Sequence, residues 1–510
     1  MSVGNSEETV IVSGHKQWMF LFSLIAQTVS FPQWPPRYTI RGTWKVPYTN
    51  LSNPITIVRE PGRQYTDQLN GLERIWNSGP EERIHRKIVG AGDKMVCFTI
   101  PDDEPFDIEF TEFLPSPEGF SLQQGDYSYH GKLCDLWVKK IDGGKTQTYK
   151  MYIDKAGNPV AYVLQAVSMF HSHYDVYILE IDEFINDILP GYWNIPTMCK
   201  DAKPDPYPGN QFNLFFPSPK NDNTLKNLKA QKSAGKNVSS RFIHMDPSSF
   251  RKTIQMKREN RARRLLGQND VEYCQTYYGT PQFPLPAEFS WRNATNVVGK
   301  PRDQVACGSC WAFSTAEAVE SQFAIKTGKF REISTNQIMD CTWDTNNNGC
   351  SGGEVAPALY SLMKNKIPIA YESEYPYLGA SGYCNKNIQD VAGYIAGCYQ
   401  IDKKSDTIKE ALIKFGPLAI AINVISEMSF YNGGVIDNQK CTGTPEDLVH
   451  AVLLTGWKVI DGKEAWEIKN SWSTYWGYEG YIYIQSEHQE WNCGVTTDAV
   501  APIVALAPNN

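Results

Sequence analysis

Basic charge, histidine and long apolar runs are all scarce in this chain. Its 49 lysines and arginines are outnumbered by 56 acidic residues, for a net charge of −7. A nucleic-acid binder presents a basic footprint, so no nucleic-acid partner is expected. Twelve cysteines are present, yet no Cys-x-x-Cys pair is matched by histidines at zinc spacing, which argues against a structural metal site. The best apolar run, residues 19–26, falls far short of the roughly 20 residues that span a bilayer. No stable membrane span is expected. That run reads instead as the core of a secretory signal, with Thr28, Val29 and Ser30 as small residues for cleavage. Its flank is atypical, with Glu7 and Glu8 ahead of it and Lys16 the nearest base. The cysteine content fits an oxidising compartment. Asn50, Asn237 and Asn293 each open an Asn-x-Ser/Thr sequon, which permits glycosylation in a secreted chain.

What is present centres on Gln304-Val305-Ala306-Cys307-Gly308-Ser309-Cys310-Trp311. A Gly-Ser turn feeds a helical pattern whose apolar side is Trp311, Phe313, Ala316, Val319 and Phe323, with Gly328 suited to its end. Cys310 therefore opens a helix, where unpaired N–H groups and the helix dipole favour the thiolate. A lone cysteine is by default buried or bridged. Cys-Gly-Ser-Cys-Trp is far more specific than that. It resembles the active-site signature of the papain family of cysteine proteases, and the resemblance runs from about Leu285 to the C-terminus. Leu285-Pro286-Ala287-Glu288 is similar to a mature N-terminus of that family.

A thiolate needs a base and a group to orient that base. Of eight histidines only His450 and His488 lie in this half. His488 sits in a polar stretch and reads as a solvated loop. His450 interrupts the apolar run 448–454, where a polar side chain is either a satisfied core residue or functional. It follows Cys310 by 140 residues, within the span of about 130–150 typical of papain-like enzymes. Asn470, in Ile468-Lys469-Asn470-Ser471-Trp472, offers a side-chain carbonyl to hold the imidazole.

The resemblance implies the remaining roles. Gln304 would join the Cys310 N–H as an oxyanion hole, and Trp472 would shield the His–Asn bond and form part of the leaving-group side. Gly352 and Gly353 would let substrate backbone approach closely. Glu354, Val355, Ala356, Ala421, Ala451 and Asp498 would line the pocket for the second residue before the scissile bond. For Asp498 two readings stand, a pocket-floor acid that accepts basic side chains or a surface carboxylate. Cys307–Cys350, Cys341–Cys384 and Cys441–Cys493 would be the bridges. Cys97, Cys134, Cys199, Cys274 and Cys398 are left, an odd number, so at least one has no partner among them. Nothing resembles a histidine-bearing occluding loop, which favours endopeptidase action. No cofactor and no metal are expected.

Upstream, residues 31–200 are β-rich. Strands are expected at 133–141, 146–153, 160–167 and 174–181, with turn chemistry at Asp142-Gly143-Gly144 and 154–159. An antiparallel meander follows, as a curved sheet or half-barrel. His171 and His173 beside Asp175 suggest a metal only weakly, since further carboxylates at matching spacing are missing; strand-end polar residues are the better reading. Gly131-Lys132-Leu133-Cys134-Asp135-Leu136-Trp137 and 172–178 resemble the N-terminal domains of insect haemocyte cysteine proteinases and the slime-mould counting-factor-associated protease. The ligand of this domain is not readable.

Residues 201–284 form a linker rich in turn residues, 203–209 and 217–223 among them, then a basic helix at about 248–266 that opens at Asp246-Pro247. That helix is either a solvated face or the remnant of an inhibitory propeptide with Arg263-Arg264 open to processing. The propeptide signature Glu-x3-Arg-x3-Phe-x2-Asn-x3-Ile-x3-Asn of the resembled family is missing, so the sequence alone does not decide whether this region inhibits.

The expectation is thus an α+β chain. A signal peptide (1–30), a β-rich antiparallel domain (31–200) and the linker (201–284) precede a papain-like protease of helical and β-barrel-like lobes (285–510). It would be a secreted or lysosomal endopeptidase zymogen acting on protein or peptide substrates. The alternative is a catalytically silent scaffold that binds through its N-terminal domain.

Overall fold

The structure is a computed structural model. It describes residues 30–507 apart from 80, 104–105, 107–109, 143–145, 168–173, 206–270, 306, 346, 426 and 429–430. The apolar run 19–26, the basic helix at 248–266, the turn at 143–144, Asn237 and the histidines 171 and 173 lie outside the described residues.

Two antiparallel meanders make the N-terminal domain. The first comprises β1 (Tyr38–Val46), β2 (Leu51–Glu60), β3 (Arg63–Gln68), β4 (Glu73–Ser78), β5 (His85–Ala91) and β6 (Lys94–Thr99). The second comprises β7 (Ser121–Tyr129), β8 (Lys132–Asp142), β9 (Thr146–Asp154), β10 (Pro159–Val167) and β11 (Tyr174–Ile185). Pairing of β1 with β11 fuses them, and the two-residue β12 (Lys203–Pro204) adds beside β6, giving one sheet of twelve strands. The four strands expected in the second meander form within a few residues of the anticipated limits. Alternation along β1 turns Ile40, Trp44 and Val46 inward, where Trp44 stacks on Tyr177 with centroids 5.7 Å apart. At the turn 154–159, Asp154 Oδ1 accepts the N–H groups of Ala156 and Asn158. Cys97–Cys199 staples the far end. Asn50 and Asn293 are exposed.

The C-terminal half opens with β13 (Gln275–Tyr277) and β14 (Phe289–Ser290). Its helical lobe holds α1 (Cys310–Thr327), α2 (Thr335–Cys341), α3 (Val355–Lys364) and the short β15 (Ile369–Ala370). The sheet lobe follows with β16 (Val391–Ile401), α4 (Ser405–Phe415), β17 (Leu418–Ile422), β18 (Val435–Ile436), β19 (His450–Ile460), β20 (Lys463–Lys469), β21 (Tyr481–Gln485) and β22 (Ala499–Leu506). The sheet runs β13-β16-β22-β17-β19-β20-β21-β18.

Local chemistry explains the helix ends. Gly328 at φ 70° closes α1 by donating its N–H to the Ala324 carbonyl. Ser334 caps α2 by accepting the Gln337 N–H at 3.0 Å. The Gln337 side chain does not complete a capping box; it binds Pro368 O and Ala370 N instead. One expectation changes: α1 is buried on every side from Cys310 to Ala324, Glu317 and Glu320 included, rather than along one apolar face.

The two halves touch along a chain of specific contacts. Gly92 O accepts the Cys384 N–H at 2.7 Å, Asn53 Nδ2 donates to Leu378 O at 2.9 Å, and buried Lys87 reaches Ser351 Oγ at 3.3 Å. Gly90 abuts the backbone of Gly382 so closely that a Cβ there would stand 2.7 Å from its carbonyl carbon.

Candidate active site

Cys310 is the first residue of α1, fully buried and outside any disulfide. One turn on, Ser314 Oγ donates to the Val452 carbonyl at 2.8 Å, which packs the start of α1 against the start of β19. His450 begins that strand, paired with Ile422 of β17. Cys310 and Ala451 share one buried cluster, so nucleophile and base candidates lie on facing elements.

His450 Nε2 meets Asn470 Oδ1 at 2.8 Å, and the same oxygen accepts the Ser471 N–H at 2.8 Å. The Trp472 indole stacks over the imidazole at 4.8 Å between centroids and meets Trp476 edge-on at 5.0 Å. His450 Nδ1 is buried with no hydrogen-bond partner among the described residues. Burial pushes the imidazole pKa down to about 4, and the bond to Asn470 pulls weakly the other way. A neutral ring is therefore the form this closed site favours.

Gln304 is wholly buried and held at both ends of its amide. Its Nε2 donates to Cys307 O at 3.0 Å and its Oε1 accepts the Ser471 hydroxyl at 2.8 Å. Tyr377 was not anticipated. Its hydroxyl meets both Gln304 O (2.8 Å) and Ser309 Oγ (2.7 Å), tying the loop to the helix start, and no motif in the sequence marks it. Ser471, whose place between Asn470 and Trp472 does not mark it in the sequence, links Gln304 to the Asn470 loop.

The other expected residues fall as follows. Gly352 has φ 99°, which a side chain rarely tolerates, and a Cβ on Gly353 would stand 2.5 Å from the Trp311 ring. Both glycines thus have an internal reason besides substrate approach. Val355, Ala356, Ala421 and Ala451 are buried and apolar, in the same cluster as Cys310. Glu354 is buried. Asp498 is also buried, and its Oδ1 accepts from Gln400 Nε2 at 3.1 Å, so the surface-carboxylate reading does not hold. His488 is exposed and stacks on Trp491 at 4.2 Å.

Comparison with known proteins decides the family. The profile described as papain family cysteine protease matches residues 285–503. Human cathepsin O is 34% identical over 233 residues, 45% of this chain and 70% of that protein. The chain belongs to the papain family of cysteine proteases. Pro-cathepsin H of Mus musculus is 36% identical and that of Medicago truncatula 38%, each matched over 43% of this chain. The chain spans 66% and 62% of those two relatives, just under two thirds of their length. A ragweed pollen cysteine protease in its proform superposes with TM-score 0.48 at 27% identity, over 56% of this chain and 88% of its own.

Within the papain-family domain the bridges Cys307–Cys350, Cys341–Cys384 and Cys441–Cys493 are formed. Cys274–Cys398 is a fifth bridge beside Cys97–Cys199, which leaves Cys134 and Cys310 unbridged. Cys274 lies upstream of the matched segment, yet β13 pairs with β16 and Tyr277 packs edge-on against Phe415 at 4.9 Å. Residues 274–277 thus pack on the papain-family domain ahead of the matched segment. Among the described residues no helix is long and apolar enough to cross a membrane.

Proposed function

We propose that this protein is a cysteine endopeptidase, made as a zymogen, that hydrolyses peptide bonds through Cys310, His450, Asn470 and Gln304. The observation that carries the reading is the His450–Asn470 bond beneath Trp472, with Nδ1 left uncommitted beside the start of α1. Nε2 is occupied by Asn470, so Nδ1 is the nitrogen that takes the Cys310 thiol proton. The sulfur then adds to the substrate carbonyl, and the Gln304 amide and Cys310 N–H hold the oxyanion; such donors typically contribute ~10²–10³ in rate. The imidazolium returns its proton to the departing amine. Water, deprotonated by the same nitrogen, opens the thioester and restores the thiol.

A neutral imidazole in a closed site is a latent state. Pairing with a thiolate in an opened, wetter cleft would raise its pKa and populate the ion pair. The apolar cluster of Val355, Ala356, Ala421 and Ala451, with buried Asp498 bonded through its carbonyl to the Ala421 N–H, supports apolar or basic residues at the second position before the scissile bond. Five disulfides support passage through the secretory pathway, to the lysosome or outside the cell.

Labelling with an epoxysuccinyl thiol-protease inhibitor, read by mass spectrometry before and after acidification, tests this reading. Addition on Cys310 only after acidification is the expected result. Labelling without acidification would show that the upstream region no longer inhibits. No labelling in either state would leave a silent scaffold.

A further inference from the structure

The turn joining β1 to β2 reaches out of the N-terminal domain and ends against the loop that carries Gln304. Pro47–Thr49 form a single 3-10 turn, closed by the Asn50 N–H on Pro47 O, with Asn50 at φ 58°. At its apex the Tyr48 hydroxyl donates to the carboxylate of Asp303. Asp303 accepts the Val305 N–H at 2.7 Å, and its backbone pairs with that of Trp472 in an isolated antiparallel bridge. The Tyr48 ring meets Tyr475 of the protease domain edge-on, centroids 6.3 Å apart. Both rings still face solvent, Tyr48 at 37% and Tyr475 at 70% exposure.

The turn is fixed in place. Asp175 of β11 lies close enough to feel the Tyr48 hydroxyl, and the contacts at Asn53, Gly90 and Gly92 hold the flanking strands against the protease domain. An aromatic edge built from both domains thus stands against the Asp303–Trp472 bridge.

We propose that Tyr48 is a specificity-determining residue contributed to the protease cleft by the N-terminal domain. Together with Tyr475 it forms a wall on the leaving-group side that takes a large apolar or aromatic side chain of the substrate. The inference rests on the endopeptidase reading above. A single methylene in a hydrophobic pocket is worth about 10-fold to 200-fold in discrimination, and the partial exposure of this edge favours the lower figure. The N-terminal domain is then part of the substrate site, not a passenger.

The test uses the activated full chain as wild type, Tyr48→Ala and Tyr48→Phe. Internally quenched peptides share one acyl side and carry Phe or Gly after the scissile bond. In Tyr48→Ala the Phe-over-Gly ratio of kcat/KM falls about tenfold, while Tyr48→Phe keeps it, because the ring forms the wall and the hydroxyl only positions it. An unchanged ratio in Tyr48→Ala, with the N-terminal domain still co-eluting on gel filtration, overturns the proposal. If Tyr48→Ala fails to fold, Tyr475→Ala reads the other half of the wall: the same loss supports the proposal and an unchanged ratio overturns it. A peptidyl aminocoumarin, which has no residue after the scissile bond, separates the two failures. Wild type inactive on it removes the endopeptidase reading itself.

Discussion

Lys469 Nζ stands 2.9 Å from the Glu317 carboxylate, with both side chains closed off from solvent. Charge holds the pair, since no directed hydrogen bond forms between them. Lys469 immediately precedes Asn470, and Glu317 lies two turns along α1 from Cys310. Arg302, two residues before Gln304, joins the same cluster at 3.3 Å from Glu320 and 3.8 Å from both Glu317 and Glu372. One ion cluster therefore anchors the three segments that carry the candidate nucleophile, oxyanion amide and orienting asparagine. Three carboxyls face two cations, and burial pushes Glu320 up to about 7, so one proton settles the imbalance at acid pH.

Removing one partner of such a buried pair leaves a bare charge, at a cost of about 3–5 kcal/mol. Lys469→Met should lower the thermal midpoint accordingly. Adding Glu317→Leu should recover most of the loss, because the second change removes the stranded carboxylate. Thermal unfolding of both variants, followed by circular dichroism, checks this.

Buried carboxyls set the pH dependence of stability. Asp340 accepts from Tyr375, Gly382 and Asn336, yet burial outweighs those bonds and pushes it from 3.8 up to about 7. Asp303 moves to about 7 and Asp175 to about 8, each mainly through burial. The folded state then binds more protons than the unfolded chain between pH 4 and 7–8, so stability falls as pH rises through that window. His450 and His85, both lowered by burial, act the opposite way, but only below about 6.5. The thermal midpoint should be higher at pH 5.5 than at 7.5. Asp340→Asn, which cannot ionise, should flatten the profile, and an unchanged slope in that variant would remove Asp340 from the account.

Motif and local pattern made the catalytic half legible. The start of α1 at Cys310, its end at Gly328, and the strands holding His450, Lys469 and Tyr481 follow from capping residues and apolar runs. Strands β16 and β22 were not anticipated, and neither were β1–β6. Tyr65, Gln64 and Thr66 of β3 are all buried, so the alternation that reveals a half-exposed strand is lost there. The Tyr377, Glu317 and Tyr48 contacts were hidden for another reason. The Tyr377 bonds, the Glu317–Lys469 pair and the Tyr48–Asp303 bond each join residues more than sixty positions apart through polar atoms that carry no periodicity.

Cys274 sits upstream of the segment that matches the papain family, yet it is bonded to Cys398 of β16, next to the edge strand β13. The exposed stretch after it, with Tyr278 at 72% and Phe283 at 83% exposure, lies between that anchor and the matched start. Wherever the upstream region is cut within that stretch, residues about Cys274 should stay with the catalytic unit. Mass spectrometry of the active enzyme should find a Cys274 peptide without reductant and lose it with reductant. Cys274→Ser should cost about 2–5 kcal/mol, the usual range for losing a native bridge. A fully active form with Cys398 as a free thiol would contradict both.

Asp498 makes the substrate preference testable in a single panel. Its carboxylate is buried and accepts from Gln400 Nε2, so it is already partnered in the closed state. A basic side chain at the second position before the scissile bond would therefore add to, or compete with, a neutral amide. A charge-assisted contact outweighs a neutral one by about twofold in strength, which favours the substrate. Arg and Lys should be accepted beside Leu and Val in a library of fluorogenic dipeptides. Asp498→Ala should lower kcat/KM for Arg by roughly tenfold relative to Leu, about the 1.4 kcal/mol that one such contact supplies. Gln400→Leu frees the carboxylate of its partner and should raise the Arg preference instead. An Arg-to-Leu ratio unmoved by either change would place Asp498 outside the pocket, in a purely structural bond between β16 and the chain ahead of β22.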